Sequence, residues 1–140
     1  MFCYIDSTLP EIPKSVLMSL EQVEKLDNVF YGKAGKETYA LYPANKELID
    51  FLTPYFNFKC VIMYQVIKND LKPHIDKGLR DDYKYNYLIN SGEALTHWWQ
   101  DEKIVYTEKC LEDTWYSINV AIKHSVSNIV SPRLSVIVKH

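Results

Sequence analysis

The sequence contains no Cys-x-x-Cys pair, no apolar run of membrane-spanning length and no long block of basic residues. Each absence excludes something. The three cysteines, Cys3, Cys60 and Cys110, are odd in number and far apart. That spacing does not read as a disulfide framework, and it fits reduced thiols packed as small hydrophobes in a cytoplasmic protein. No segment approaches the ~18 to 20 apolar residues of a membrane helix. The N-terminal "MFCYIDSTLPEIP" has an acid and two prolines where a secretory signal needs a basic end and an apolar stretch. Sixteen basic residues stand against eighteen acidic ones, for a net charge of −2, so no electrostatic footprint for nucleic acid or an anionic membrane is visible. No repeat, low-complexity tract or linker divides the 140 residues, which are expected to form one domain.

What is present is an excess of aromatics, with eleven Tyr, five Phe and three Trp, and a change of period along the chain. The first part has helical character. "PKSVLMSLEQVEKL" (Pro13 to Leu26) places Val16, Leu20 and Val23 at helical spacing behind an early proline. "NKELIDFLTPYF" has Asn45 as an expected N-cap and Leu48, Phe51 and Leu52 on one face. From Asn57 the period becomes two. "FKCVIMYQVIK", "YKYNYLI", "LTHWW", "KIVYTE", "WYSINVAI" and "RLSVIVK" read as strands, with turn residues at Asn69-Asp70, Asn90-Ser91-Gly92, Gln100-Asp101 and Ser131-Pro132. With short segments around His74 and His124 the count reaches about eight. The expectation is a mainly β fold: a double-stranded β-helix (jelly-roll) barrel over residues 57–140, with helical support from 1–56.

Within "KPHIDKGLR", His74 and Asp76 lie two apart. With four His and nine Asp in the chain, a His-x-Asp arises in roughly a quarter of shuffled sequences, so the pair alone carries little. His124 follows fifty residues later, and Arg133 and Ser135 form "RLS" nine residues beyond it. In a strand, residues i and i+2 share a face, so His74 and Asp76 can both look into a barrel, and so can Arg133 and Ser135. Two imidazoles and one carboxylate leave three octahedral positions of a metal free. That set suits non-haem Fe(II), which must hold a bidentate cosubstrate together with O₂. A guanidinium inside an apolar barrel is costly without an anion to bind, and a carboxylate accepts it in bidentate fashion.

His-x-Asp, a distal His and Arg-x-Ser about ten residues further on resemble the Fe(II)- and 2-oxoglutarate-dependent dioxygenases, and most nearly their compact prolyl-hydroxylase-like members. The resemblance covers Tyr64 to Ser135, about half the chain. It implies that His74, Asp76 and His124 bind iron. It also implies that Arg133, helped by Ser135, binds the distal carboxylate of 2-oxoglutarate. Tyr64, ten residues before His74, and Tyr87, in "NYLIN", resemble tyrosines that hydrogen-bond the cosubstrate, with Asn86 as the lesser alternative. "GEALTHWW" resembles a strand of compact oxygenases, some of them phage-encoded. The implied reaction hydroxylates a C–H bond and releases succinate and CO₂. Many prolyl hydroxylases have Lys where this chain has Arg133, so the substrate does not carry over. A peptide or protein side chain is the first expectation, a small metabolite the second and a nucleic-acid base the third.

Two rival readings are a jelly-roll binding module without chemistry and a metal enzyme of cupin type that does not use 2-oxoglutarate. Cupins usually resemble His-x-His followed by Glu and a later His, which this chain lacks. Of the remaining candidates, Arg80 is expected either to reach substrate or to pair with Asp81 or Asp82. Trp98 and Trp99 face opposite ways, one into the core and the other towards the substrate mouth. His97 is expected on the sheet surface.

Overall fold

The structure is a computed structural model, and it describes residues 1–56, 59–76 and 82–140. Among the described residues, ten strands and two short α-helices follow one another. They are β1 (Cys3–Ile5), α1 (Leu20–Glu24), β2 (Tyr39–Pro43), α2 (Lys46–Leu52), β3 (Val61–Ile67), β4 (Leu71–His74), β5 (Tyr83–Asn90), β6 (Leu95–Gln100), β7 (Lys103–Glu108), β8 (Trp115–Asn119), β9 (His124–Ser127) and β10 (Arg133–Lys139). They form a six-stranded sheet in the order β1-β8-β5-β10-β3-β2 and a four-stranded sheet in the order β4-β9-β6-β7. All named pairings are antiparallel. Strands β3 to β10 switch between two faces, β8-β5-β10-β3 and β4-β9-β6-β7, except for the β6–β7 hairpin, whose two strands stay on the smaller face; this is the double-stranded β-helix. β1 and β2 extend the larger face from the N-terminal part, so residues 1–56 supply strands as well as helical cover.

The expected helix over Pro13–Leu26 is shorter than its periodicity suggests. Lys14–Val16 is a 3₁₀ turn and only Leu20–Glu24 is α-helical. The reason is local chemistry. Ser19 Oγ accepts from the Gln22 amide at 3.2 Å while Gln22 Oε1 accepts from the Ser19 amide at 2.9 Å, a capping box that restarts the helix at Leu20. Just before it, the Met18 amide is taken by the Tyr64 hydroxyl at 3.0 Å. Asn45 precedes α2 as expected, but its side chain does not cap the helix. It accepts from the Tyr64 hydroxyl and donates to the Val16 carbonyl, tying the N-terminal cover to the sheet.

Two turns fix the barrel's corners. Asp101 and Glu102 both have positive φ and join β6 to β7 in the two-residue form that matches strand twist. Gly92, at φ +60, sits so close to the chain at Ser131 that a Cβ there would lie 2.0 Å from the Ser131 carbonyl oxygen. Apolar packing then separates two spaces. On the outer face of the larger sheet, Tyr64, Val66, Tyr87, Leu134, Val136 and Val138 pack against Ile12, Val23, Leu48 and Leu52 from the N-terminal part. Between the sheets, Leu88, Trp98, Tyr116, Ile118 and Val120 fill one region. Beside it lies a cavity of about 320 Å³, with Ile67 and Val126 of a smaller apolar cluster on its wall.

Candidate metal centre

β4 and β9 pair at the edge of the smaller sheet with His74 directly opposite His124. Pro73, just before His74, costs this ladder little because β4 is an edge strand, and the register shifts between Leu71 and His74. Asp76 is two residues past His74, and its amide donates to the Val120 carbonyl at 3.0 Å, which turns its side chain back towards the pair. The ligand atoms of His74, Asp76 and His124 all lie within 4.8 Å of one another. Asp76 Oδ1 is 3.4 Å from His74 Nε2 and 3.6 Å from His124 Nε2.

Both imidazoles are oriented in the same way. His74 Nδ1 lies 2.7 Å from the Lys72 carbonyl oxygen, and His124 Nδ1 lies 2.7 Å from that of Ile122. A carbonyl only accepts, so each Nδ1 carries a hydrogen and each Nε2 faces Asp76, where it donates to the carboxylate when protonated and offers its lone pair to a metal when not. Such backbone anchoring fixes tautomer and ring angle in metal-binding histidines. Burial pushes the Asp76 carboxyl up, but hydrogen bonds to His124 and His74 and the Lys84 ammonium together hold it well below the usual carboxylate range. The hydrogen bond to Asp76 raises His74 above ordinary imidazole, against the opposing effect of burial. Two nitrogen donors and one ionised oxygen donor, clustered with a cavity on one side, fit a divalent metal of the Fe(II) type.

The cavity continues from this cluster to Arg133. Arg133 is 4% exposed and its Nη1 donates to Thr96 Oγ1 at 3.1 Å. Its Nε is buried without a partner, and so is Ser135 Oγ two residues further on the same face of β10. Burial pushes the Arg133 guanidinium down, and the ionisable groups that push it back are Cys110 and Tyr116 rather than a carboxylate. Two orphaned polar groups beside one buried cation fit a carboxylate-bearing ligand.

The structure corrects the two tyrosines. Tyr64 and Tyr87 are fully buried on the outer face of the larger sheet, away from the cavity. The Tyr64 hydroxyl accepts from Met18 N and donates to Asn45 Oδ1, and the Tyr87 hydroxyl accepts from Ile12 N at 3.3 Å. Strand alternation is the cause: in β3 it is Gln65, and in β5 it is Asn86, that turn inward. Asn86, the lesser alternative in the sequence, lines the cavity with its Oδ1 unpartnered. Tyr39 and Lys84 also line it and were missed. Tyr39 accepts from Gln65 Nε2 at 3.3 Å, and burial raises its phenol above the ordinary range. The only sequence signal for Lys84 and Asn86 was a polar residue at every second position of "YKYNYLI".

Three side expectations also resolve. Trp98 is core, with Nε1 donating to the Asn119 carbonyl, while Trp99 donates to Ser125 Oγ on the outer face of the smaller sheet and does not line the cavity. His97 is buried rather than on the surface, bridging Thr107 Oγ1 and Ser127 Oγ at 2.7 and 2.6 Å. Arg80 and Asp81 lie outside the described residues.

No family model and no curated protein matches the chain. Solved structures do. Hydroxypropylphosphonic acid epoxidase from S. wedmorenis superposes with a TM-score of 0.53 and 10% identity, over 93% of this chain and 62% of that one. Fe(II)-HppE with the alternative substrate (S)-1-HPP gives 0.54 and 10%, over 92% and 62%. The fold is the cupin-type jelly roll. An oxalate decarboxylase structure is also similar, at 0.49 and 16%, over 75% of this chain and 26% of that one. The chain thus spans about three fifths of the epoxidase chains and a quarter of the decarboxylase. At these identities the likeness concerns architecture. Within the barrel, the cavity is lined by this chain's own His74, Asp76, His124 and Arg133, while Ser135 shares Arg133's side of β10 by strand alternation without being part of the lining. Among the described residues, no helix is long and apolar enough to cross a membrane.

Proposed function

We propose that this protein is an Fe(II)- and 2-oxoglutarate-dependent dioxygenase that hydroxylates a C–H bond of an organic substrate. The observation that carries the reading is Arg133. It is a buried cation with an orphaned Nε, beside the orphaned Ser135 Oγ, in the cavity that also holds the His74, Asp76 and His124 cluster. A cupin-type enzyme needing only a metal would leave this cation without a purpose. A cosubstrate with one carboxylate for Arg133 and a second end for the metal explains both groups at once.

His74, Asp76 and His124 would hold the metal, and Arg133 with Ser135 would hold the distal carboxylate of 2-oxoglutarate. The bound pair supplies oxidative chemistry in which one oxygen atom of O₂ enters the substrate and the other enters succinate, with loss of CO₂. The chain's residues hold and shield this chemistry. Lys72 and Ile122 carbonyls lock the imidazole tautomers. Thr96 steers the guanidinium through Nη1. Asn86 and the Tyr39–Gln65 pair offer further polar contacts on the cavity wall. Apolar Ile67, Ile118 and Val126 keep the rest of it dry.

The test is uncoupled turnover. Incubated with Fe(II), O₂ and 2-oxoglutarate, the wild-type protein should release succinate. His124→Ala should abolish release, and Arg133→Ala should raise the 2-oxoglutarate concentration required. Release that is unchanged in either variant, or absent in the wild type, would refute the reading.

A further inference from the structure

Arg133 and the metal cluster account for only part of the charge in the cavity. Among the described residues, four cationic side chains line it, Lys33, Lys84, Arg133 and Lys139, against one carboxylate, Asp76, which belongs to the metal cluster. A divalent metal and a 2-oxoglutarate dianion would neutralise each other, so they leave this excess in place.

Two of the cations stand side by side. β10 pairs with β5 so that Val138 is opposite Tyr85 and Ile137 opposite Asn86. One step further along the same register sets Lys139 against Lys84, and both line the cavity. Like charges opposite one another on neighbouring strands destabilise a sheet. Lys84 is also largely enclosed, with 11% of its side chain exposed, and among the described residues its ion pair is a loose 3.8 Å contact to Asp76 Oδ2. The two imidazoles instead approach the other carboxylate oxygen, Oδ1. Lys139 and Arg133 share a face of β10 but are six residues apart, or about 20 Å between Cα atoms. The lysine pair is therefore a second cationic point in the cavity, distinct from Arg133 and next to the metal cluster.

Resting on the dioxygenase reading, we propose that the substrate carries an oxyanion, a carboxylate or phosphate, seated between Lys84 and Lys139 so that its C–H bond lies beside the metal. An oxyanion there neutralises the repelling pair and adds charge-assisted hydrogen bonds in an enclosed space. It also leaves Arg133 free for the cosubstrate. The group can come from a small acid or phosphate ester, or from an acidic side chain of a peptide.

The probe is inorganic sulfate, titrated calorimetrically into protein loaded anaerobically with Fe(II) and 2-oxoglutarate, with the visible charge-transfer band of the loaded centre recorded throughout. Dimethyl sulfone is the neutral control of similar shape. Wild type should bind one sulfate and no sulfone. Lys139→Gln, which touches no residue of the metal cluster, should weaken sulfate roughly tenfold or more and leave the band intact. Lys84→Gln should do the same to sulfate. No sulfate binding, equal binding in Lys139→Gln, or loss of the band as sulfate enters would overturn the proposal. If no band forms but lysine-dependent sulfate binding persists, the dioxygenase reading fails and the anion site stands. Succinate release with small carboxylates and phosphate esters in one arm, and short acidic peptides in the other, distinguishes the sources. Lysine-independent stimulation, or stimulation by neutral compounds alone, would again overturn it.

Discussion

Replacing Arg133 with Met separates a ligand-binding role from a structural one. A guanidinium stabilising the fold through protein contacts should be missed when removed. The structure gives Arg133 a hydrogen bond to Thr96 and a contact with the Cys110 thiol, and leaves Nε buried without a partner. An orphaned buried donor costs about 1 to 3 kcal/mol, and burying an unpaired charge adds to that cost. Losing the Thr96 bond removes about 1 kcal/mol. Met fills a similar volume without a charge. The ligand-free Arg133→Met protein should therefore be as stable as wild type or more stable, by on the order of 1 kcal/mol. Its 2-oxoglutarate affinity should drop sharply, because a charge-assisted bidentate contact contributes about 1.5 to 3 kcal/mol, or roughly 10- to 150-fold. Iron affinity should stay within about threefold, since Arg133 touches none of the three clustered ligands. Urea unfolding of the ligand-free protein, with separate titrations of Fe(II) and 2-oxoglutarate, gives all three numbers. A loss of more than about 2 kcal/mol in stability, or parallel losses of iron and cosubstrate, would refute the argument.

The other predictions concern the centre and its scaffold. As pH falls, metal affinity should decline through the histidine range, starting above about pH 6.5, because His74 holds its proton more tightly than free imidazole while Asp76 stays ionised. A decline that begins only near pH 4 would contradict this. Without metal, the His74 contribution to stability is present below about pH 6.5 and lost as pH rises through its raised folded value. The Asp76 contribution is present above about pH 3.9 and lost as pH falls through its lowered one, so metal-free stability should peak between the two. Tyr64→Phe removes bonds to Met18 and Asn45 and should cost about 1 to 3 kcal/mol in denaturation, with 2-oxoglutarate affinity unchanged. Trp98→Ala should cost roughly 3 to 5 kcal/mol, since Trp98 is fully buried between the sheets. Gly92→Ala should be destabilising by more than about 1 kcal/mol on thermal unfolding, because the backbone of Ser131 and Pro132 occupies the space a Cβ needs.

The sequence carried the barrel because alternation and turn chemistry are local. The strand over Arg133–Lys139 is legible from neighbours alone, and so is the β6–β7 turn, which was expected at Gln100-Asp101 and lies one residue on at Asp101–Glu102. The clustering of His74, Asp76 and His124 was legible from their distinctive chemistry, although Asp76 lies past the end of β4 and is held by its backbone bond to Val120 rather than by strand alternation. Tyr64 and Tyr87 failed because parity does not pass through a turn. Counting ten residues back from His74 crosses the Lys68–Asp70 bend, after which nothing in the sequence says which face of β3 looks inward. For β5, the alternation between Asn86 and Tyr87 was read correctly but assigned to the wrong side. The eleven tyrosines obscure this, since a sheet covered on its outer face by Ile12, Val23 and Leu48 can bury an aromatic on either side. Lys84 and Lys139, 55 residues apart in sequence, are visible as a pair only once β5 and β10 are set side by side.

The central claim is that one cavity holds a metal on His74, Asp76 and His124 and 2-oxoglutarate on Arg133. The most direct measurement is anaerobic Fe(II) titration with and without 2-oxoglutarate, followed by visible absorption. One Fe(II) per chain and a charge-transfer band that needs both components are expected. The band should be absent in His74→Ala and should require far more 2-oxoglutarate in Arg133→Met. Iron binding with no band at any 2-oxoglutarate concentration, or a band that survives His74→Ala, would contradict the account.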